Sequence, residues 1–276
     1  MPAAGAHSTG MLQPMVLRYF CIYGERCSGT TWISSLMTKN FKLAHRTDMC
    51  PNKHDFDLSV PNEFGFLHED VLVIVVTRNV IDWAVSLYKR PWFAANHCNV
   101  TFHEFVTKPW TPGNLSGSAP DPAFCPKYEN WTSDKARHSN MYYENGAGEY
   151  PDNVLQLRSW KLQRQLQLCN TRRQAACVRY DEVAADWKGW LLKMRNALHL
   201  KTYDGFPKEV STYKGVRGKS FTPHSQLALL RTGQPSEYYS PETLRHFAQS
   251  LNFQWEHRAG FDYGSTFDHF PVVASV

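Results

Sequence analysis

Apolar runs and amphipathic segments alternate along this chain. Residues 16–22 and 71–76 are largely apolar, and the second run is mostly β-branched, which is typical of a buried strand in a parallel sheet. Each run is followed by a segment with helical periodicity, at residues 30–39 and 79–88. Because strands and helices alternate, the pattern predicts parallel strands that are joined by helical crossovers.

The second half of the chain continues this alternation. Residues 154–168 are amphipathic, with Leu155, Leu162 and Leu166 on one face and Gln and Arg residues on the other. Further predicted elements are short strands at 41–45 and 177–180 and helices at 187–200 and 241–251. The predicted fold class is α/β, with a mostly parallel central sheet and helices on both faces. The loop after the first strand then lies at the carboxyl edge, where such folds bind ligands.

Residues 91–152 interrupt the alternation with repeated prolines, glycines and asparagines. This composition predicts a long, largely irregular insertion, and loops of this kind commonly form lids or substrate-binding surfaces. The segment is also rich in aromatic residues, which suit the binding of an acceptor molecule. We therefore predict a single domain from residue 16 to residue 276, preceded by a poorly ordered tail at residues 1–15.

The composition excludes several functional classes. The chain has 276 residues and a formal net charge of +5, which fits an anionic ligand, but no long run of Lys or Arg indicates a nucleic-acid binder. No apolar run approaches the roughly 20 residues that a membrane span needs. Residues 1–15 lack the apolar core of a signal peptide. The predicted location is the cytoplasm.

The cysteines also bear on the cellular compartment of the protein. Seven cysteines without a C-x-x-C pair argue against a structural zinc site and predict reduced thiols in a reducing compartment. Glycosylation sequons at residues 99–101, 114–116 and 130–132 indicate the alternative, a lumen of the secretory pathway, and Cys98 and Cys125 lie among them. The sequence leaves both compartments open.

The first chemically informative segment joins the first strand to the first helix. Residues 23–32 read Y-G-E-R-C-S-G-T-T-W, and a glycine-containing turn between a strand and a helix is the setting of a phosphate-binding loop. Gly24 and Gly29 have the spacing of the nucleoside-triphosphate loop, and Thr31 fills its hydroxyl position. Thr30 stands where that loop carries the lysine that contacts the β- and γ-phosphates. Backbone N–H groups can still cradle a phosphate, so we expect a different phosphate-containing donor.

The second informative segment, residues 77–86, leaves the second apolar strand and enters a helix. Arg78 sits at the strand end, where a guanidinium can clamp a phosphate, although surface and capping arginines are also common there. Ser86 lies eight residues later, which is about two helical turns. If the turn folds back, both side chains can touch one anion.

Together the two segments resemble the sulfotransferases that use 3′-phosphoadenosine 5′-phosphosulfate. The match runs residue by residue over Ser28, Gly29, Thr30, Thr31 and Trp32 and over Arg78, Asn79, Asp82, Ala84 and Ser86. The resemblance implies that the first loop holds the 5′-phosphosulfate, that Arg78 and Ser86 bind the 3′-phosphate, and that Trp32 lies near the adenine. It also implies a P-loop sulfotransferase fold and transfer of a sulfuryl group to a hydroxyl or amine, with 3′-phosphoadenosine 5′-phosphate as product.

Two later segments resemble the family less closely. Tyr180 corresponds to a tyrosine that lies against the adenine, although an ordinary core tyrosine at a strand end fits the sequence equally well. Residues 214–218, which include Lys214, Gly215 and Arg217, resemble the family's K-G-x-x-G loop, which closes over the 3′-phosphate. The residues that flank this loop in the family are replaced here, so Arg217 or Lys219 would substitute for them.

The first loop also departs from the family. Cytosolic members carry a lysine directly before S-G-T-T-W, where this chain has Cys27. Arg26 lies one position earlier. We expect the Arg26 guanidinium to neutralise the phosphosulfate, while Cys27 contributes only its backbone.

Sulfuryl transfer needs a base for the acceptor and cations around the transferring group. Lys53 and His54 resemble the family's lysine and histidine by their order in the chain. His54 is the predicted base, and Lys53 would stabilise the bridging oxygen. His45 and the acidic residues between 55 and 70 are alternative bases. This chemistry requires no metal, and the acceptor can be a small molecule or a glycan.

Two other functions are compatible with the loop. A P-loop kinase of small molecules would share the strand, turn and helix, but Thr30 in place of the lysine argues against it. A non-catalytic protein that binds a nucleotide or a sulfated glycan would tolerate the altered lysine positions.

Overall fold

The computed structural model describes residues 16–47, 69–89, 91, 97–110, 150–172, 174–210, 226–231 and 236–267. These ranges contain both predicted phosphate-binding segments. The predicted tail at 1–15 and most of the predicted insertion lie outside them.

A four-stranded parallel sheet forms the centre of the described structure. Its strands are β1 (Tyr19–Gly24), β2 (Ala44–His45), β3 (Val71–Thr77) and β4 (Ala175–Arg179), in the spatial order β2-β1-β3-β4. Each neighbouring pair is parallel. The α/β class that the alternating pattern predicts is therefore confirmed.

The predicted helices are present, with ends that differ by a few residues. The described helices are α1 (Thr30–Asn40), α2 (Val80–Tyr88), α3 (Phe102–Thr107), α4 (Val154–Thr171), α5 (Tyr180–Ala185), α6 (Trp187–Leu198), α7 (Gln226–Arg231), α8 (Pro241–Ser250) and α9 (Phe253–Arg258). In the described part of the chain, no helix has both the length and the apolar character needed to cross a membrane.

The strands start or end up to three residues from their predicted limits. The first apolar run starts at residue 16, but Val16 is 64% exposed, because β1 pairs with β3 only from Tyr19, opposite Val71. Strand β4 ends at Arg179, and Tyr180 begins α5 instead of ending the strand. This correction places Tyr180 directly at the carboxyl edge of the sheet.

The two faces of the sheet pack against different helices. The even-numbered positions of β1 and β3 form one hydrophobic cluster with buried residues of α1, α5 and α6. The odd-numbered positions form another cluster with Leu168 of α4. Every residue of β3 is buried, so its continuous apolar run reflects cover on both faces.

The described part of the predicted irregular insertion, at residues 91, 97–110 and 150–152, contains helix α3. Helix α3 is short and begins with a capping box, in which Thr101 accepts a hydrogen bond from the N–H of Glu104 and the Glu104 carboxylate accepts one from the N–H of Thr101. Phe105 and Trp110 are fully buried against the helices around them. The prediction of irregular structure is therefore wrong for residues 102–107, where the capping box of Thr101 and Glu104 starts a helix despite the prolines in the surrounding sequence.

Helix α4 is buried on more than one side. It contacts β3, β4, α3, α8 and α9. Leu155 and Leu162 are buried as predicted, and Arg158 and Gln165 are buried as well. Arg158 lies three residues after Leu155 and four before Leu162, so helical periodicity places it beside these leucines.

The described cysteines are mostly oxidised. Cys169 at the end of α4 is linked to Cys177 in β4, and Cys21 and Cys98 are also disulfide-bonded. Cys27 carries a thiol. The prediction of reduced thiols is therefore wrong for four of the described cysteines.

Candidate phosphate-binding site

The two predicted phosphate-binding segments lie side by side at the carboxyl edge of the sheet. They follow β1 and β3, which are neighbours, and Gly24 is in register with Val76 at the strand ends. The chain places β2 on one side of β1 and then β3 and β4 on the other side. The strand order therefore changes direction between β1 and β3. Parallel α/β sheets bind ligands in the crevice at such a switch point.

The loop between β1 and α1 is a tight turn that is held by its own hydrogen bonds. The backbone N–H and the hydroxyl of Ser28 donate to the carbonyl oxygen of Glu25 at 3.2 and 2.6 Å. Cys27 and Gly29 have φ values of 63° and 91°, so the chain is left-handed at both positions. A Cβ at Gly24 would lie 2.6 Å from the Val76 carbonyl oxygen, which explains why the loop begins with glycine.

The amino end of α1 opens directly from this turn. Gly29 provides no side-chain cap, and the first turn contains no acidic residue. The carbonyl oxygen of Gly29 accepts from the N–H groups of Trp32 and Ile33, both at 3.1 Å. The first N–H groups of a helix have no acceptor within the helix and carry the positive end of its dipole, so this geometry favours an anion. Thr31 is exposed here, whereas Thr30 is buried.

Arg78 joins the loop to the end of β3. Its Nη1 donates to the carbonyl oxygen of Cys27 at 3.1 Å, and its guanidinium carbon lies 4.9 Å from the centre of the Tyr180 ring. Among the described residues, Nε of Arg78 is buried without a hydrogen-bond partner. The cation predicted to bind the 3′-phosphate therefore lies against the loop predicted to hold the 5′-phosphosulfate.

Tyr180 packs against this loop. Its side chain is buried, and a Cβ at Gly29 would overlap its ring. The Trp32 ring meets the Tyr180 ring edge to face at 5.7 Å, and Trp32 Nε1 donates to the carbonyl oxygen of Val210 at 3.4 Å. Gly29 is thus required both for its backbone angle and for the space that Tyr180 occupies. The adenine contacts of Trp32 and Tyr180 stay predictions.

The remaining described candidates contribute in different ways. The carbonyl oxygen of Arg26 accepts from Nε1 of Trp83 at 2.9 Å, so the backbone at this position is anchored to α2. Ser86 is partly buried on α2. His45, the alternative base, lies at the end of β2, where its ring stacks on Phe20 at 4.8 Å and its Nδ1 is 3.3 Å from the Ser34 hydroxyl.

Several predicted residues lie outside the described ranges. They are Lys53, His54, Lys214, Gly215 and Arg217, together with Lys219 and the acidic residues between 55 and 68. Their proposed roles stay predictions. Among the residues that the structure does describe, no group of three or more His, Cys, Asp or Glu side chains could hold a metal ion.

Asn79 fixes the turn after Arg78. Its side-chain oxygen caps α2 by accepting from the N–H of Asp82 at 2.8 Å, and its Nδ2 donates to Asp82 and Asp181 at 2.7 and 2.8 Å. The backbone N–H of Asn79 donates to the second oxygen of Asp181 at 3.0 Å. Burial raises the pKa of Asp181, and the bond from the Asn79 backbone opposes that rise. This network holds the ends of β3 and β4 together.

Arg158 lies beneath the loop and is fully buried. Its Nη1 donates to the carboxylate of Glu25, its Nη2 donates to the carbonyl oxygen of Arg78 at 2.6 Å, and its Nε donates to Glu256 at 2.9 Å. Burial by itself would lower the pKa of Arg158, but Glu25 and Glu256 more than offset burial and raise it. Burial raises the pKa of Glu25, and the cations Arg158 and Lys161 oppose that rise.

Sequence reasoning missed Arg158, Glu25 and Glu256. No motif marks Arg158 within its amphipathic helix, and Glu256 lies 98 residues further along the chain. A signal was nevertheless present in the loop itself, because Glu25 is an acid in a turn that otherwise suits an anion. Such a residue requires a neighbouring cation if it is buried.

No protein-family model matches this chain, and comparisons with curated proteins and with solved structures gave no match either. The resemblance to sulfotransferases therefore rests on the two sequence segments, and the geometry described above is the basis on which a function can be proposed.

Proposed function

We propose that this protein transfers a sulfuryl group from 3′-phosphoadenosine 5′-phosphosulfate to a hydroxyl or amine of a small-molecule or glycan acceptor. One observation carries the proposal. The S-G-T-T-W loop and Arg78 meet at the switch point of the sheet, where Arg78 Nη1 is 3.1 Å from the Cys27 carbonyl oxygen. A donor with phosphates at both its 5′ and 3′ positions needs two such anion-binding elements side by side.

The character of the loop supports sulfuryl rather than phosphoryl transfer. A nucleoside-triphosphate loop uses a lysine to neutralise the β- and γ-phosphates, and Thr30 occupies that position here. The uncapped start of α1 still offers N–H groups and a positive dipole end to a phosphosulfate. A P-loop kinase also uses an acid near a strand end to hold Mg²⁺. Asp181 follows β4, but both of its carboxylate oxygens already accept hydrogen bonds from Asn79.

The proposed reaction is an in-line displacement. Residues 28–32 hold the 5′-phosphosulfate with help from Arg26, while Arg78 and Ser86 hold the 3′-phosphate and Trp32 and Tyr180 lie near the adenine. Lys214, Gly215 and Arg217 close over the 3′-phosphate. The acceptor oxygen or nitrogen bonds to sulfur as the bond between sulfur and the bridging oxygen breaks. His54 takes the acceptor proton, and Lys53 stabilises the bridging oxygen of the departing 3′-phosphoadenosine 5′-phosphate.

Calorimetry with 3′-phosphoadenosine 5′-phosphate tests the proposal directly. We expect saturable binding that does not require a metal, and weaker binding of ATP with Mg²⁺. An acceptor screen with sulfur-labelled donor then identifies the substrate class. If the protein binds ATP with Mg²⁺ but not the bisphosphate, the kinase alternative replaces this proposal. If it binds the bisphosphate but labels no acceptor, the non-catalytic alternative does.

We also propose that the chain folds in an oxidising compartment, which was the alternative to the predicted cytoplasm. Disulfides persist in such compartments and are rare in the cytosol, and the structure contains the Cys169–Cys177 bond with Cys21 and Cys98 also bonded. Asn99 of the first sequon is exposed. Rapid alkylation of the protein from its native cells tests this: labelling of Cys169 and Cys177 without a reductant would overturn it.

A further inference from the structure

The geometry points to Arg158 as a positioning residue that couples the two phosphate-binding elements. This inference rests on the proposed function and adds a residue that touches neither phosphate. It predicts that Arg158 governs the binding of a nucleotide with two phosphates far more than the binding of a nucleotide with one.

The first support for this inference is that two N–H groups of Arg158 bind two different segments of the chain. Nη1 reaches the carboxylate of Glu25 in the loop after β1, and Nη2 reaches the carbonyl oxygen of Arg78 after β3 at 2.6 Å. One planar guanidinium therefore binds both segments at once. Because the guanidinium is rigid, it sets the distance between the two segments and not merely their stability.

The contacts form a closed ring. Glu25 is linked to Ser28 through the backbone turn, with the Ser28 hydroxyl 2.6 Å from the Glu25 carbonyl oxygen. Arg78 reaches back to the carbonyl oxygen of Cys27 at 3.1 Å. Arg158 closes the ring, because it donates both to the carboxylate of Glu25 and to the carbonyl oxygen of Arg78. A displacement of either phosphate-binding element is thus transmitted to the other through Arg158.

Arg158 is itself held in place by the C-terminal part of the chain. Glu256 on α9 accepts from Nε and Nη2 at 2.9 and 3.3 Å. Tyr263 donates to Glu256 at 2.7 Å and accepts from the N–H of Val80, the first residue of α2, at 3.1 Å. The guanidinium also lies over Trp83 at 5.3 Å. Its position is therefore determined before any ligand binds.

Charge gives Arg158 a second effect on the loop. Glu25 is 1% exposed and lies in the turn that would receive an anionic group. An unneutralised carboxylate there would repel the 5′-phosphosulfate, because charges interact strongly away from water. Arg158 pairs with Glu25, so the acid does not oppose the ligand.

A coupling residue has a distinctive signature in ligand binding. 3′-Phosphoadenosine 5′-phosphate spans both elements and needs them at one separation. Adenosine 5′-monophosphate and adenosine 3′-monophosphate each need only one element. Loosening the connection should weaken the bisphosphate more than either monophosphate, whereas general destabilisation should weaken all three by the same factor.

The test uses the full chain carrying Arg158→Lys, which keeps the charge but cannot donate to three groups in one plane. Calorimetry should show bisphosphate affinity reduced about tenfold and each monophosphate reduced about threefold or less. Arg164→Lys is the matched control, because Arg164 is exposed on the same helix and should leave all three affinities unchanged. Equal losses for the three ligands, or no loss, would overturn the inference.

A milder variant keeps the test decisive if Arg158→Lys does not fold. Tyr263→Phe removes the hydroxyl that donates to Glu256 and accepts from the N–H of Val80, and it leaves Arg158 bonded to Glu25 and Arg78. It should reproduce the unequal losses at smaller size, and equal losses again contradict the coupling. Failure of the unmodified protein to bind the bisphosphate instead overturns the proposed function. If the unmodified protein binds it and the variants bind equally well, only the role of Arg158 is overturned.

Discussion

The Nη1 atom of Arg78 donates to the backbone carbonyl oxygen of Cys27 at 3.1 Å. The two residues are 51 positions apart, and they meet because β1 and β3 are adjacent parallel strands that end at the same edge. This contact brings the loop before α1 and the turn before α2 into one site. It is the relationship on which the proposed donor site depends.

Replacement of Arg78 by alanine should weaken the binding of 3′-phosphoadenosine 5′-phosphate about tenfold to a hundredfold. The variant loses a charge-assisted contact to the 3′-phosphate and the bond to Cys27. Titration calorimetry measures the effect. The loss should be much smaller for adenosine 5′-monophosphate, which lacks the 3′-phosphate. Equal losses for the two nucleotides would contradict the assignment of Arg78 to that phosphate.

Replacement of Gly29 by alanine should destabilise the protein and remove donor binding. The φ of 91° is strained for alanine, at a cost of about 1–3 kcal/mol, and the new Cβ would overlap the Tyr180 ring. Thermal unfolding measures the change. Gly264→Ala is the matched control, because Gly264 has φ of 50° and no atom near its Cβ position. Gly29→Ala should lower the Tm further than Gly264→Ala; equal shifts would argue against the contact with Tyr180.

Protonation of His97 should lower stability as the pH falls. Burial, together with the charge of Lys108, lowers the pKa of His97 from 6.5 to about 4, although a backbone hydrogen bond partly opposes the shift. The unfolded chain therefore binds the proton more readily than the folded chain between these values. The free energy of unfolding should fall through this window by up to about 3 kcal/mol.

Urea unfolding at a series of pH values checks this dependence. His97→Phe, which suits the ring contacts with Phe105 and Trp110, should flatten the slope between pH 6.5 and 4. His257→Gln is the control, because His257 is exposed. A slope that survives in His97→Phe would show that another group is responsible.

Removal of the Cys169–Cys177 bond should destabilise the protein by about 2–3 kcal/mol. The two cysteines are eight residues apart, and the cross-link restricts the unfolded chain over that loop. The double variant Cys169→Ser/Cys177→Ser isolates this bond, whereas a reductant would also act on Cys21 and Cys98. Denaturant unfolding measures the difference. An unchanged free energy of unfolding would mean that the cross-link constrains nothing that the native contacts do not already hold.

Replacement of His54 by alanine should lower kcat about a hundredfold or more, because a general base contributes this much to proton transfer. Binding of 3′-phosphoadenosine 5′-phosphate should be nearly unchanged. Labelled-donor turnover and calorimetry measure the two effects separately. Near-normal turnover would transfer the role of base to another residue, and His45→Ala would then be the next variant.

The local pattern was sufficient for the elements that carry the site. A β-branched apolar run is typical of a strand that is covered on both faces, and β3 is buried throughout. The segment from Gly24 to Trp32 predicts a turn into a helix, and Gly29 permits one of the two left-handed angles in that turn, whereas the other falls on Cys27. These features depend on neighbouring residues only, so the sequence contains them in full.

Burial of charge could not be predicted in the same way. Arg158 lies beside the buried leucines of its helix, and its partners Glu25 and Glu256 come from segments 133 and 98 residues away. The cysteines posed a similar problem, because the pairing of Cys169 with Cys177 depends on α4 ending beside β4. Both outcomes depend on how distant segments pack.

The sequence by itself determined the α/β architecture and the two loops at the carboxyl edge of the sheet, because hydrophobic period and glycine spacing act over short distances. Only the tertiary structure decided that Arg78 lies on the loop at Cys27 and that Arg158 joins Glu25 to Arg78 from beneath. Contacts between residues that are 51, 80 and 133 positions apart arise from strand order and helix packing, which no local pattern encodes.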